Sequence, residues 1–207
     1  MKGGNEMTKK EKKQKKRTRW AKKYFKRDIG KAKKDFHEII KKDYEHAKQR
    51  ATQLLRINED DAKLLRPIII TIPDAFGKND VVSYRMDKNP DGSTTLLYDH
   101  SLITILMFGE SSLFYYQSHI NHETGQIGYD ITGEVKYFDI VHIETELSYD
   151  DYEKPKYSRL DVKLSLVNGQ NLKIHLRNHR LSAEYPADQI LTENEKEVLG
   201  LIKQAYR

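Results

Sequence analysis

Residues 160–176 read LDVKLSLVNGQNLKIHL. Leu160, Val162, Leu164 and Leu166 alternate with other residues, Asn168-Gly169 follows, and Leu172, Ile174 and Leu176 alternate again. Alternation with period two gives each strand one apolar face, and Asn-Gly between two such runs is a strong hairpin signal. The stretch predicts an antiparallel hairpin with one buried side, and with it a strand-rich body.

The flanking sequence keeps the same grammar. Downstream, Thr192-Glu-Asn-Glu195 is a capping box that opens a helix with Val198, Leu199, Leu201, Ile202 and Ala205 on its face. Upstream, strand-like segments follow one another: Ile68–Ile72, Val81–Met86, Thr94–Asp99, Leu102–Phe108, Leu113–His119, Gln126–Tyr137 and Ile140–Tyr149. Turn signals separate them at Asn89-Pro-Asp-Gly92, Gly109-Glu110 and Asn121-His-Glu-Thr-Gly125. The expected fold class is therefore α+β, with a mostly β body over 67–207. Seven or eight antiparallel strands form a bent sheet or open barrel, capped by a C-terminal helix.

Gly133-Glu-Val-Lys-Tyr-Phe-Asp-Ile140, the Val162–Leu166 strand with Asn168-Gly169, and the capped helix Thr192–Tyr206 together resemble the bacterial pleckstrin-homology-like domains over residues 80–207. The resemblance implies a superbarrel of two packed sheets and a role in binding or assembly rather than catalysis. Members of the wider superfamily that bind phosphoinositides cluster Lys and Arg around the first hairpin. Here Arg85 to Thr95 offers only Arg85 and Lys88, beside Asp87 and Asp91, which argues against headgroup capture in the mouth of the barrel.

In front of the body lies a segment of opposite character. Residues 1–57 hold 21 of the 37 Lys and Arg but 7 of the 31 Asp and Glu, so the net charge of +6 joins a strongly basic arm to an acidic body. Residues 1–19 are Lys-rich and nearly free of apolar side chains, the composition of a disordered basic tail. Residues 20–66 read as a helical basic arm. Phe25, Ile29, Phe36, Ile40, Ala47, Ala51 and Leu54 fall on one side of a helical wheel, with Tyr44 at its edge. The repeat is close to eleven residues, which suits one nearly straight helix over 25–55, about 46 Å long, with Gly30 the only interruption. Asn58-Glu-Asp-Asp61 then flips the charge, and a boundary is expected near residue 66, before Pro67.

Cysteine is absent, which excludes disulfides, thiolate zinc sites and a cysteine nucleophile and fits a cytoplasmic chain. The longest aliphatic run, Pro67 to Ile72, is far too short to span a bilayer. A membrane would be met only peripherally. His119-x-x-His122-Glu123 is the most ligand-like cluster, but it falls on a strand end and turn and lacks the zincin spacing. Exposed turn histidines are the expected state. His142, Glu144 and Glu146 share one face of a strand, read as solvated, and His175 and His179 also read as surface residues. No nucleophile elbow or Gly-rich phosphate loop is present, so neither enzymatic activity nor a cofactor or metal is expected.

The candidate contact residues lie in the arm: Lys15, Lys16, Arg17, Arg19, Trp20, Lys22, Lys23, Phe25, Lys26, Phe36 and Ile40. Their chemistry suits an anionic surface or partner, with apolar side chains to insert or dock. A protein partner or self-association follows for the body. The alternative is a nucleic-acid-binding accessory protein, in which the Lys-rich segment neutralises phosphates and Trp20, Tyr24 and Phe25 stack.

Overall fold

The computed structural model describes residues 8–57, 67–73, 82–180 and 190–206. In chain order its elements begin with α1 (Lys9–Tyr24), β1 (Ile29–Lys31), α2 (Lys34–Leu55), β2 (Ile68–Pro73), β3 (Tyr84–Lys88), β4 (Thr94–Tyr98) and β5 (His100–Phe108). They continue with β6 (Ser112–Asn121), β7 (Gln126–Lys136), β8 (Ile140–Tyr149), β9 (Tyr157–Leu166), β10 (Asn171–Arg180) and α3 (Glu193–Tyr206). The chain is α+β and mostly strand. Among the described residues the body has nine strands, where seven or eight were expected, and each of the strand-like segments named above forms one.

The strands form three sheets, ordered β2-β5-β6-β7, β10-β9-β8 and β1-β3-β4. Every pairing is antiparallel except β1 with β3. No closed barrel forms among the described residues. β5 is the hub. It is buried along nearly its whole length, so it reads as a continuous apolar run rather than an alternating one. Leu106 faces the β9–β10 hairpin and α3, in a core with Leu113, Val135, Leu160, Val162, Leu164, Leu172, Ile174, Val198 and Ile202. Ile103, Ile105 and Met107 face the other way, against Ala47 and Ala51 of α2. The small Ala side chains let the helix backbone lie close to the sheet, and both are fully buried.

The β9–β10 hairpin forms where the alternation puts it. Its loop is Val167–Gly169, closed by Leu166 N–H to the Gln170 carbonyl at 2.9 Å, with Gly169 at φ 80°. That is a three-residue loop with glycine in the left-handed position. The capping box forms too: Glu195 accepts from Thr192 N–H at 2.7 Å and Thr192 Oγ1 accepts from Glu195 N–H at 3.3 Å. The same carboxylate takes a buried two-pronged ion pair from Arg177 of β10, at 2.7 and 2.5 Å. One side chain thereby starts α3 and fastens it to the sheet.

The arm differs from its expected form in two ways. A disordered tail over 1–19 is replaced, from Lys9 onward, by α1. Its start is a second capping box, Thr8 with Glu11, and its far end is held by burial of Ala21, Tyr24 and Phe25 with Phe36 and Ile40. A single rod over 25–55 is replaced by a bend at 25–33, where the chain runs extended along β3. The β1–β3 pairing supplies the backbone partners that a helix would otherwise provide, including Met86 N–H to the Asp28 carbonyl at 2.7 Å and Ala32 N–H to the Lys88 carbonyl at 3.0 Å. Ile29, assigned to the helical stripe, is instead an exposed strand residue, 63 % accessible. The expected linker at Asn58–Asp61 and the boundary near 66 lie outside the described residues.

Candidate anion-binding cleft

The bend between α1 and α2 places basic residues from several sequence positions around one residue of the body. Lys23, Lys26, Arg27, Lys31 and Lys33 surround Arg85 of β3 in an open cleft of about 600 Å³, with Trp20 and Tyr24 in its wall and Gly30 beside the guanidinium. Among the described residues no acidic side chain lines it. None of the five arm cations takes part in an ion pair among the described residues.

Arg85 is 5 % exposed. Its Nε donates to Asp87 Oδ1 at 2.6 Å and its Nη1 to the Tyr24 carbonyl at 2.8 Å, while its charge lies 4.1 Å from the centre of the Tyr24 ring. Asp87, fully buried, also accepts a short hydrogen bond from the Tyr24 hydroxyl and faces His37 Nε2 at 3.3 Å. Burial, reinforced by the Asp87 carboxylate, pushes the Tyr24 phenol well above its ordinary value, so Tyr24 stays protonated and remains a donor. Trp20 stacks on Tyr24 with centroids 5.6 Å apart and tilts against Phe36 at 5.2 Å.

The expected contact residues divide into two sets. Lys15, Lys16, Arg19, Lys22, Lys23 and Lys26 are exposed, and Trp20 is half-buried. Lys12, Lys15, Arg19 and Lys22 recur at helical spacing, giving a row of cations along α1 with about 5 Å between successive turns. Phe25, Phe36 and Ile40 are core residues, because the stripe they belong to covers the sheet and α1; they are not presented to a partner. Arg17 is also internal. Its Nη2 reaches Asp43 Oδ2 at 2.5 Å, and Nε and Nη2 both donate to the His122 carbonyl, at 3.1 and 2.8 Å. Gly125, at φ 75°, leaves room for this guanidinium, since a Cβ there would lie 2.4 Å from Nη1.

His122 is the clearest departure from the expected exposed turn. It is 0 % exposed. Its Nδ1 lies 2.8 Å from Asp43 Oδ2 and its Nε2 lies 2.8 Å from Ser101 Oγ. A carboxylate only accepts, so Nδ1 carries the proton and Ser101 donates to Nε2. Burial holds the imidazole below its ordinary pKa, against the opposing pull of Asp43. The Asp–His–Ser order is that of a nucleophilic relay. Ser101, however, is also 0 % exposed and sits within a strand paired on both sides. The chain of bonds ties α1, α2 and the β6–β7 turn together and presents no nucleophile to solvent.

The other clusters stay apart. His119 packs on the Tyr129 ring while His122 points to Asp43, so the two do not converge on a common point. His142, Glu144 and Glu146 are exposed on β8, and Glu144 faces Lys163 at 3.6 Å. His175 donates or accepts at 2.7 Å with buried Asp161, which Arg159 and Lys173 also hold at 2.6 and 2.8 Å. His179 is not a surface residue either: burial, with the Arg177 charge, pushes its pKa down to about 4.

Sequence reasoning missed Arg27, Lys31, Lys33 and Arg85 as partners. The parallel pairing of β1 with β3 is a contact across more than fifty residues, and the Ile29–Lys31 segment carries no alternation long enough to announce a strand. The start of α1 was legible, since Thr8-Lys-Lys-Glu11 has the same pattern as the capping box at Thr192. No protein-family model, curated protein or solved structure matches the chain. Fold and cleft together therefore define it only as a mostly β α+β protein with a basic helical layer. No helix among the described residues is long and apolar enough to cross a membrane.

Proposed function

We propose that this protein is a non-catalytic binding module that holds a nucleic-acid strand against its basic N-terminal layer. The observation that carries the reading is the cleft itself: six basic side chains and two aromatic ones, from α1, the bend and β3, with no acidic side chain among the described residues that line it. The cation row of α1 extends the same electrostatic surface. Burial of Phe36 and Ile40 leaves the helices without the apolar face that insertion into a lipid surface uses, which favours phosphates over a membrane. A pleckstrin-homology-like body belongs to this reading, supported by the two facing sheets, the β9–β10 hairpin and the capped α3.

Fluorescence anisotropy with a labelled single-stranded oligonucleotide tests it. Binding should weaken steeply with salt, and replacing Lys12, Lys15, Arg19 and Lys22 by Ala should lower the log–log slope by roughly 0.7 for each phosphate no longer neutralised. No binding at about 50 mM salt would overturn it, and binding to anionic vesicles alone would favour a peripheral membrane role.

A second reading concerns the far end of the body. Phe138, Val141 and Val167 are exposed there together, joined by Val167 N–H to the Asp139 carbonyl at 2.9 Å, with the Tyr206 hydroxyl on the Val141 carbonyl at 3.3 Å. This is the apolar surface the body would offer to a protein partner or a second copy. Sedimentation velocity with Phe138→Asp tests the latter; a mass unchanged from a monomeric wild type would count against self-association.

A further inference from the structure

We propose that the Arg85 corner of the cleft is a specific site for a phosphomonoester, the group carried at a phosphorylated nucleic-acid end; the inference rests on the nucleic-acid reading above and names the part of the strand that the cleft takes. A guanidinium has five N–H donors. In Arg85, Nε and Nη1 have protein acceptors, whereas Nη2 donates to none among the described residues. Nη2 lies beside Gly30, which lines the cleft together with Arg85, so an anion entering there meets an uncommitted donor on a residue that is otherwise almost wholly enclosed.

The guanidinium is also fixed in place. Asp87 holds one edge, the Tyr24 ring lies along its face, and Gly30 closes on Nη2. A Cβ at Gly30 would lie 1.9 Å from Nη2. Gly30 does not have a positive φ, so the close approach of Arg85, rather than the backbone, makes glycine fit here. A planar fork held in advance suits the oxygens of a phosphate, which Arg engages through paired N–H donors.

Asp87 offsets the charge of Arg85 itself. The surplus comes from Lys23, Lys26, Arg27, Lys31 and Lys33, none of which is paired among the described residues. Five cations around one point favour the dianion of a monoester over the single charge of a diester linkage. The exposed row from Lys22 back to Lys12 leads away from this corner along α1. A strand whose terminal phosphate sits on Arg85 would place its following diester phosphates along that row.

The test uses the full chain and two oligonucleotides of one sequence, with a 5′ phosphate or a 5′ hydroxyl. Trp20 is the only tryptophan and lines the cleft, so its emission reports occupancy alongside anisotropy of the label. The phosphorylated strand should bind roughly tenfold more tightly or better. Gly30→Ala, which displaces Nη2 without changing charge, should bring the affinities for the two strands to the same value. A Lys26→Ala/Arg27→Ala double variant, altered only at exposed positions, should reduce the preference as well.

Equal affinities for the two strands in the wild type would overturn the inference while leaving general strand binding in place. A preference that survives Gly30→Ala unchanged would also overturn it, by showing that added charge alone is responsible. Phosphatidic acid vesicles, compared with phosphatidylserine vesicles, form the remaining arm. Discrimination between these vesicles, without discrimination between the strands, would overturn the assignment to a nucleic-acid end.

Discussion

Asp43 and His122, 79 positions apart, meet at 2.8 Å through Oδ2 and Nδ1, and Arg17 reaches the same carboxylate oxygen from a third element. The carboxylate therefore joins both arm helices to the β6–β7 turn. It occupies the buried stripe of α2, between Ile40 and Ala47, where an acidic residue interrupts an otherwise apolar face.

Asp43→Ala should destabilise the chain by about 3 kcal/mol, because it strands the Arg17 charge and the Nδ1 donor together. Asp43→Asn should cost less, since an amide oxygen still accepts from Nδ1. Urea unfolding of the two variants measures the difference. A loss below about 1 kcal/mol for the alanine variant would mean that the network is not a structural tie.

Acid should weaken the fold through its buried histidines. Both His122 and His179 are held below the ordinary value by burial, His179 at about 4. The unfolded chain takes up these protons near pH 6.5, before the folded one does. The contribution is complete above about 6.5 and is lost as pH falls toward 4, with His179 accounting for up to about 3 kcal/mol. Urea midpoints should fall between about pH 7.5 and pH 5, and His179→Gln should flatten part of that fall. A midpoint that stays level across this range would refute the claim.

Two residues assigned to the same helical stripe should behave differently. Phe36 is fully buried against Tyr24, Phe25 and Trp20, whereas Leu54 is 50 % exposed. Phe36→Ala should cost about 3–5 kcal/mol, and Leu54→Ala less than about 1 kcal/mol. Thermal melts of the pair read the contrast; similar losses would place Leu54 in a core as well.

Arg50 fastens α2 to β7 through a two-pronged pair with Asp130, which also accepts from the Tyr116 hydroxyl at 2.6 Å. Burial, with the neighbouring Asp130 carboxylate, raises the Tyr116 phenol to about 12. Arg50 is partly exposed, so screening limits the pair, and an Arg50→Ala/Asp130→Ala cycle should give a coupling of about 0.5–1 kcal/mol. A coupling indistinguishable from zero would leave α2 held by its apolar face and the Asp43 network.

The strands were legible wherever local pattern decides structure. The alternation at Leu160–Leu176 and the turn at Asn168-Gly169 gave the hairpin, and Thr192-Glu-Asn-Glu195 gave the start of α3. The arm was legible only in part. Phe36, Ile40, Ala47 and Ala51 do form a buried stripe on α2, but the wheel carried the helix through Ile29, where the chain turns extended to meet β3. The charge of residues 9–19 suggested disorder, although Thr8 and Glu11 cap a helix there and Arg17 anchors it. Both errors have one cause: the partners that decide the outcome, Met86, Arg85, Asp43 and His122, are distant in sequence. The same distance hid the cleft, since Arg85 reads as an isolated cation until the bend brings Lys23 to Lys33 around it.

The Arg17 contact with His122 spans 105 positions, and this has a consequence for synthesis. The basic segment leaves the ribosome before the body does, and its anchoring turn is made more than a hundred residues later. At about 5–20 residues per second, Arg17 waits on the order of ten seconds for its His122 contact. Over that interval Arg17 can reach Asp43 but still lacks the His122 carbonyl that completes its contacts.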